Sequence, residues 1–495
     1  MLSVDEIKRF IEEDLTSDKK RKAAEGQRYY EGEHDILKSR LFYYNADGKL
    51  EEDKMRSNIK ISHPFFMELA DQLAAYMLSF DENPIKAKET AEGLQDYLDN
   101  YFDDEFWSEI GDLITGTYTK GFEHLYAYKN EDNRLTFECA DSMGVVEVQA
   151  RYTKDKQDYK IYHYLDIDQT EKGKKEIRRI QVWTKDETYF FIQEDKSGLI
   201  KKDQSVPMNP RPHVVFKDQK SKSYSLGFIP FWRLDNNKKQ FSGLKPIKGL
   251  IDDYDLMECG LSNNLADFDT PLHVVSNFNG DDLNELQMNL KTKKIVGVDE
   301  GGDVQVRTVD IPYQARKAKA DEDEKNIYRF GFGFNSSQVG DGNITNIVIK
   351  SRYALLDLKA NKLEKRLKKL LKKITKIVLD EINTENSKDY QLKDIKFEFK
   401  RSIMTNDSEN IANAKIEAET RQLEVNTILN VAAQIGDEKA VQLICDVLDI
   451  NYDDIKDEVE KMQEEQKLAQ AKASLNNVVP EDAVVEPPID EPVVE

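Results

Sequence analysis

The chain has 495 residues, of which 34% are charged and 39% are apolar, and its formal net charge is −22. This length exceeds what one hydrophobic core organises, so we expect two to four domains. No run of about 18 apolar residues occurs, which excludes an ordinary membrane-spanning helix. The acidic balance excludes tight binding of nucleic acid unless a local basic patch provides it, although it suits DNA that must slide past without adhering.

The first 120 residues predict a helical region. Ser3 and Glu6 form a capping-box pattern before the first helix, and a second helix ends near Gly32. Pro64 opens a further helix, and residues 90–120 are helical again, with several aromatic residues as candidate core. The N-terminal stretch is acidic and lacks the apolar core of a signal peptide, so we expect the protein to act in a cytoplasm.

The sequence pattern changes to that of β-strands between residues 121 and 232. Runs such as YKIYHYLDID and TYFFIQED are β-branched or aromatic, alternate in polarity and are separated by charged turns. This pattern predicts a β-rich meander within an otherwise helical chain.

Two helices then bracket a small insert. The first is predicted over 246–268 and ends at Asp269-Thr270-Pro271. The second, over 312–330, has so few large apolar residues that we expect it to bury little of itself within its own subunit. The insert between them predicts a small αβ unit, including a hairpin around its DEGG turn. Together these segments predict a stalk with a small head.

The stretch from Gly331 to Asn383 is the most informative part of the chain. Its first part is a Gly-, Asn- and Ser-rich loop, in which we expect no packed element. The helix that follows repeats apolar residues at intervals of three and four, and its other faces carry nine Lys or Arg between Lys359 and Lys376, against one acid, Glu364. We interpret this basic face either as a solvated or inter-subunit salt-bridging surface, or as a patch that neutralises acids or phosphates. Its candidate residues are Lys359, Lys362, Arg366, Lys369 and Lys373.

The C-terminal part predicts a short strand within 390–401 and then helices over about 407–434, 437–448 and 453–473. From Asn476 the chain is rich in Pro, Val and acidic residues and contains no Lys or Arg. We expect this tail to be disordered unless a partner orders it.

The common motifs of catalysis are missing from the sequence. It contains no Walker A, HExxH or GxSxG pattern, and the GFGF at 331–334 is only half of a dinucleotide fingerprint. The three cysteines lie far apart, which predicts free, buried thiols. Asp281-Asp282 and the acids at 321–324 have ligand types suited to Mg²⁺, but charge-dense helices of this kind favour solvated faces. We therefore expect no catalytic residue, cofactor or metal.

Four stretches of the sequence form a recognisable set. They are YYEGEHDI at 29–36, the helix at 58–78 with Ser62-His63-Pro64, Ile229-Pro230-Phe231 and Asn236-Asn237 before the helix at 247–268, and IVIKSRY…KAN at 347–361. These stretches resemble the portal (head–tail connector) proteins of tailed bacteriophages, in particular the type found in siphophages of Gram-positive hosts. Their order and spacing carry the resemblance over residues 1 to about 400. One departure is Thr345-Asn346, where the family often has Ser-Gly before the long helix.

The resemblance implies an α+β, mainly helical portal fold that forms a ring of twelve subunits around a channel. It divides the chain into named regions. These are wing (1–245, with the β-rich segment), stem (246–270), clip (271–310), second stem helix (311–334), tunnel loop (335–346), wing (347–403), helical crown (404–475) and disordered acidic tail (476–495).

The resemblance also implies a conduit for double-stranded DNA rather than an enzyme. The expected partners are DNA, terminase, the head–tail adaptor, and the major capsid and scaffolding proteins, at the portal vertex of the virion and, during assembly, in the host cytoplasm. The tunnel loop would lie nearest to the DNA. Its candidate DNA-facing residues are Asn335, Ser336, Ser337, Gln338 and Asn343.

Two other functions stay open at this point. One is a metal-dependent nucleic-acid enzyme that uses the acids near 281–282 or 321–324. The other is an assembly scaffold or adaptor whose helices bind other proteins without forming a DNA channel.

Overall fold

The computed structural model describes most of the chain, and the statements below concern that part. The described residues are 2–54, 56–130, 134–149, 157–170, 173–194, 198–214, 223–268, 272–276, 288, 300–307, 312–335, 346–401, 407–448, 452 and 461. They form an α+β structure in two compact units, of which the first spans Met1–Met404 and the second Thr405–Glu495.

The first 120 residues are helical in the predicted regions, except that the helix expected over 58–78 begins only at Phe65. Five α-helices are described in this part of the chain. They are α1 (Val4–Leu15), α2 (Asp18–Tyr30), α3 (Phe65–Met77), α4 (Leu94–Tyr101) and α5 (Asp104–Lys120). The expected capping box is present, because the Ser3 side chain accepts from the backbone of Glu6 and the Glu6 carboxylate accepts in return from the backbone of Ser3. Gly26 lets α2 approach α5 closely, since a Cβ there would lie 2.0 Å from the carbonyl oxygen of Thr119.

The predicted β-rich meander is confirmed, and its strands form two antiparallel sheets. The strands from 122 onward are β4 (Phe122–Lys129), β5 (Leu135–Ala140), β6 (Val145–Gln149), β7 (Gln157–Thr170), β8 (Gly173–Trp183), β9 (Glu187–Gln193), β10 (Ile200–Lys202), β11 (Arg211–Pro212) and β12 (Phe231–Asp235). One sheet has the order β10-β9-β8-β7-β6, with β11 also paired to β9, and the other has the order β12-β4-β5. Helix α1 covers the larger sheet, where Ile7 and Ile11 join a buried cluster with Ile161 and Ile180.

Three small strand pairs complete the β structure. Strands β1 (Phe42–Tyr44) and β2 (Leu50–Glu52) form an exposed hairpin, and β3 (Ile85–Ala87) pairs with β15 (Ile395–Phe397). In the insert, β13 (Leu272–Ser276) pairs with β14 (Asp303–Arg307). The strand expected on the other side of the DEGG turn and the short helix before it lie largely outside the described residues.

The stalk helices are α6 (Lys248–Phe268) and α7 (Tyr313–Gly331). The expectation that α7 buries little of itself is right for its start, where Tyr313 is 54% exposed, and wrong for its end. Ile327 and Tyr328 are buried in the main core, because the last turns of α7 pack on α3.

The long helix α8 (Asn346–Asn386) crosses the main core of the first unit. Its apolar stripe is buried as the periodicity predicts, against residues of α3, α5 and the smaller sheet. The buried residues of the stripe are Leu356, Ala360, Leu363, Leu367, Leu370, Leu371, Ile374, Val378, Leu379 and Ile382.

The second unit contains the helices α9 (Asp407–Ile435) and α10 (Asp437–Leu448), which pack on each other and match the predicted spans closely. Gly436 separates them with a positive φ of 88°. The predicted helix at 453–473 and the acidic tail at 476–495 lie outside the described residues, apart from residue 461.

Candidate functional site

Helix α6 is attached to the preceding chain by a regular series of hydrogen bonds. Alternate backbone N–H groups of an extended segment donate to polar side chains spaced four residues apart on α6. The pairs are Ser57 to Asp267 (3.0 Å), Ile59 to Asn263 (2.6 Å), Ile61 to Cys259 (3.2 Å) and His63 to Asp255 (3.0 Å). The two spacings agree, because two residues of extended chain span about 6.6 Å and four residues of an α-helix rise about 6 Å. We call this series the α6 ladder.

The ladder ends in a buried carboxylate that joins three parts of the chain. Asp255 is fully buried; its Oδ2 lies 2.6 Å from Nδ1 of His34, and its Oδ1 lies 2.8 Å from Nδ1 of His63. Burial alone would raise the pKa of Asp255, but the hydrogen bonds from the two histidines outweigh it and lower that pKa. Nε2 of His34 lies 3.2 Å from the carbonyl oxygen of Tyr29, so both ring nitrogens of this buried histidine face acceptors. The cluster therefore holds the N-terminal half of α6 against the chain segments that contain His34 and His63.

Sequence reasoning missed this cluster. Its members are separated by up to 221 positions, and no sequence motif connects the two histidines to Asp255. A usable signal was present, because Asp255, Cys259, Asn263 and Asp267 repeat a small polar side chain every four residues along one side of α6.

The GFGF segment after α7 is a packing element. A Cβ added to Gly331 or Gly333 would lie 2.6 or 2.0 Å from a methyl carbon of Leu69, so helix α3 lies directly on this backbone. Gln72 then fixes Phe334, since its side chain donates to the Phe334 carbonyl (2.8 Å) and accepts from the Phe334 N–H (3.0 Å). The entry into the predicted tunnel loop is thereby held on α3.

The predicted tunnel-loop residues are only partly visible. Asn335 is described, and its Nδ2 donates to Oε1 of Glu324 on α7 at 2.9 Å. Ser336, Ser337, Gln338 and Asn343 lie outside the described residues, so their DNA-facing role stays a prediction.

Lys359 differs from the other predicted residues of the basic face. Its side chain is partly buried, its Nζ donates to the carbonyl oxygen of Gly331 at 2.9 Å, and it lies 3.8 Å from the ring centre of Tyr118. Burial lowers the pKa of Lys359 to about 7. This lysine therefore belongs to the packing between α7, α5 and α8 rather than to an open cationic surface.

The other four predicted residues of the basic face line one open groove of about 820 Å³ between α8 and β12. The cations that α8 contributes to this basic groove are Lys362, Lys365, Arg366, Lys369 and Lys373. Among the described residues, these five side chains form no ion pair with an acid, although Lys362 lies 6.0 Å from the ring centre of Phe332. The acid Glu364 is engaged elsewhere, by Lys368 at 2.7 Å and by Arg401.

The opposite wall of the basic groove does not neutralise these cations. It contributes the two carboxylates of Glu147 and Asp235, and both are already paired. Glu147 binds Lys160 (2.8 Å) and Arg233, and Asp235 binds Arg233 (2.7 Å). Burial would raise the pKa of Glu147, but hydrogen bonding to His124 and the neighbouring cations lower it strongly, so this wall keeps its charges balanced. The groove as a whole is positive and suits an anionic partner.

The acids proposed for a metal site are only partly described. Asp281 and Asp282 lie outside the described residues, whereas Asp323 is buried on α7 and paired with Lys319. Within the described part of the chain, no group of three or more His, Cys, Asp or Glu side chains is arranged to hold a metal ion. In that same part, no helix is both long enough and apolar enough to cross a membrane.

Comparison with known proteins identifies the family. The family model described as "Phage portal protein, SPP1 Gp6-like" matches residues 9–472. The portal protein of Bacillus phage SPP1 is 25% identical over 389 residues, which cover 78% of this chain and 75% of that protein. The portal protein of Clostridium phage phiCD119 is 24% identical over 433 residues, which cover 82% of this chain and 88% of that protein. The resemblance inferred from the sequence is thus confirmed, and the chain belongs to the SPP1 Gp6-like family of phage portal proteins.

Proposed function

We propose that this chain forms a ring of twelve subunits at one vertex of a phage capsid, and that double-stranded DNA passes through the ring during packaging and ejection. The observation that carries this proposal is the family match, which extends over residues 9–472 and so includes both stalk helices, the insert and the long helix. The role is structural, because the ring guides DNA while a separate motor protein supplies the energy.

The stalk helices α6 and α7 are assigned to the stem, within 246–270 and 311–334. Lys319 on α7 pairs with Asp253 on α6 at 2.6 Å, and Arg316 donates to the carbonyl oxygen of Met257 at 3.4 Å, so the two helices are held together by polar contacts. The exposed start of α7 is what a helix needs if its remaining neighbours are other subunits or channel water. The insert at 271–310 would be the clip, which docks terminase during packaging and the head–tail adaptor afterwards.

The segment at 335–346 would be the tunnel loop. The chain that enters the loop is held in place, because GFGF packs against α3 and Lys359 of α8 binds the Gly331 carbonyl. A loop whose entry is held this way would reach toward DNA from a fixed starting point. The hydroxyl and amide groups of Asn335, Ser336, Ser337, Gln338 and Asn343 would donate hydrogen bonds to phosphate oxygens.

The remaining regions would contact the capsid. We assign 1–245 and 347–403 to the wing, 404–475 to the crown and 476–495 to an acidic tail available to the major capsid or scaffolding proteins. The finished ring would be a virion component that assembles in the host cytoplasm.

The native mass of the protein tests the ring directly. Twelve copies of a 57.3 kDa chain weigh about 690 kDa, and negative-stain images of that species would show a stain-filled central hole. Protein that stays at the mass of one chain, also when it is produced together with the capsid and scaffolding proteins, would overturn the proposal.

Deletion of residues 336–343 tests the role of the loop. We expect the shortened protein to form rings of normal appearance but to package or retain DNA poorly, since the loop would contact DNA without joining subunits. A matched control shortens the exposed β1–β2 turn at 46–48, which should leave packaging unchanged. A loop-deleted ring that packages and holds DNA like the intact one would refute the assignment.

A further inference from the structure

The net charge of the chain creates a problem for the ring on which this inference depends. Each subunit has a formal net charge of −22, so twelve copies repel one another unless their contact surfaces are complementary in charge. A head-to-tail ring joins two different patches, one from each neighbour. A suitable subunit would therefore have a positive patch on one side and a negative patch on the other.

The basic groove is a positive patch of this kind. Lys365, Lys369 and Lys373 are exposed, and within the described residues they have no carboxylate partner. The cations from Lys362 to Lys373 extend over about 16 Å of helix. That length and the groove volume of about 820 Å³ suit a protruding edge of another protein rather than a small anion.

A negative patch lies around a cavity of about 380 Å³ near the start of α5. Phe80 and Trp107 form part of its wall. We call its carboxylates the acidic rim; they are Asp81, Glu82, Asp99, Asp103 and Asp104.

Most of the acidic rim lacks a cation. Glu82 is paired with Lys86, and Asp103 with Arg134 at 3.1 Å. Asp81, Asp99 and Asp104 are exposed, and the described part of the chain offers them no ion pair.

The two patches lie on different sides of α8. Arg366 lines the basic groove, and Lys368, two positions later, is rotated by about 200° around the helix. Lys368 lies 5.2 Å from the ring centre of Phe399, which in turn contacts Phe80 (6.4 Å) and Trp107 (6.3 Å) at the acidic cavity. Helix α8 and the core beneath it thus separate the positive patch from the negative one.

We propose that the basic groove of one subunit receives the acidic rim of the next subunit, and that this charge pairing fixes the direction in which the ring closes. The partner is a second copy of this chain. Nucleic acid in the groove is the competing explanation, and the experiment below distinguishes it. The pairing would join two surfaces whose unpaired charges have opposite sign, which lowers the repulsion between subunits where they are closest.

Charge reversal on each side provides the test. One variant carries Lys365→Glu and Lys369→Glu in the groove, and the other carries Asp81→Lys and Asp104→Lys in the rim. All four side chains are exposed, so both variants should fold with melting temperatures near that of the intact protein. Each variant alone should lose at least about tenfold in ring yield, because like charges then meet across every contact.

Mixing the two variants should restore the rings. In an alternating ring the reversed groove meets a reversed rim, and the unchanged groove meets an unchanged rim, so every contact is again complementary. Twelve is an even number and permits this alternation. Different affinity tags on the variants, followed by two successive purifications and native mass measurement, would show that each ring contains both. The matched control for the groove variant carries Lys201→Glu and Lys202→Glu, two exposed lysines of β10, and should form rings alone despite having the same change in net charge as the groove variant.

Each outcome has a defined meaning. Wild-type rings together with normal rings from either single-sided variant would overturn the pairing and leave the proposed function intact. Failure of the mixture to restore rings would also overturn it. Normal rings with a loss of DNA binding in the groove variant would show that the groove serves nucleic acid instead. A wild-type protein that forms no ring under any assembly condition would remove the proposed function itself.

Discussion

Two charged regions of this molecule differ in where their charges find partners. In the N-terminal half of α6, Asp255 is completely buried and receives hydrogen bonds from His34 and His63. On α8, the cations of the basic groove are largely exposed and, among the described residues, unpaired with acids. The charged groups of the first region are paired within the chain, whereas the α8 cations of the second have no acidic partner among the described residues. Charge in the first region therefore stabilises the fold, whereas charge in the second is available for association.

The largest expected effect is the loss of the Asp255 carboxylate. Asp255→Ala leaves two histidine nitrogens and the His63 N–H without their acceptor in a buried site. We expect the free energy of unfolding to fall by about 3–5 kcal/mol, as is usual when one member of a buried polar cluster is removed. Urea unfolding followed by circular dichroism measures it.

Asp253→Ala is the matched control for that substitution. Asp253 lies two positions away on α6 and forms a partly exposed ion pair with Lys319. The control should cost less than about 1 kcal/mol, because solvent screens such pairs. Equal losses in the two variants would contradict the distinction between the buried cluster and ordinary surface charge.

The next effect concerns Lys359, which lies on α8 but resembles the buried region. Burial lowers its pKa to about 7, from an ordinary value of 10.5. Between pH 7 and 10.5 the unfolded chain binds more protons at this site than the folded one, so stability rises with pH across this window. From pH 6.5 to 9.5, loss of the Lys359 proton should raise the free energy of unfolding by about 3 kcal/mol.

Lys359→Met isolates this contribution, because methionine fills similar space and does not titrate. The difference in unfolding free energy between the variant and the intact protein should favour the variant at pH 6.5 and shrink by pH 9.5. A difference that is the same at both pH values would show that Lys359 is solvated, and would return it to the open basic face.

A smaller effect is expected along the α6 ladder. Asn263→Ala removes the acceptor for the Ile59 N–H, which lies 2.6 Å from Oδ1, and should cost about 1 kcal/mol. Its neighbour Asn264 has no hydrogen bond to the described residues, so Asn264→Ala should change stability by less than half as much. If the two substitutions have the same effect, the ladder does not stabilise the attachment of α6.

The sequence predicts the helices of these regions but not the contacts of their charged side chains. The three-and-four spacing of apolar residues predicted the buried stripe of α8, because helical periodicity is local. It could not separate Lys359 from Lys362, since that difference depends on Gly331 and Tyr118, which lie elsewhere in the chain. His34, His63 and Asp255 form one cluster only after α6 has folded against the N-terminal region, so their distant positions in the sequence do not predict a contact. The resemblance identified the family, whereas the pairing of individual charges required the three-dimensional arrangement.

The smallest effect should come from the basic groove itself. Lys369 is exposed, and its ammonium forms no ion pair with the described residues, so Lys369→Ala should change the unfolding free energy of the subunit by less than about 0.5 kcal/mol. The same substitution should nevertheless lower the salt concentration at which ring yield falls to half, because one of the proposed attractive charges between subunits is gone and the remaining attraction is weaker. Unfolding in urea and ring yield between 0.1 and 0.5 M NaCl measure the two properties separately. A variant that loses subunit stability while ring yield is unchanged would reverse the comparison, since the groove cations would then serve the fold.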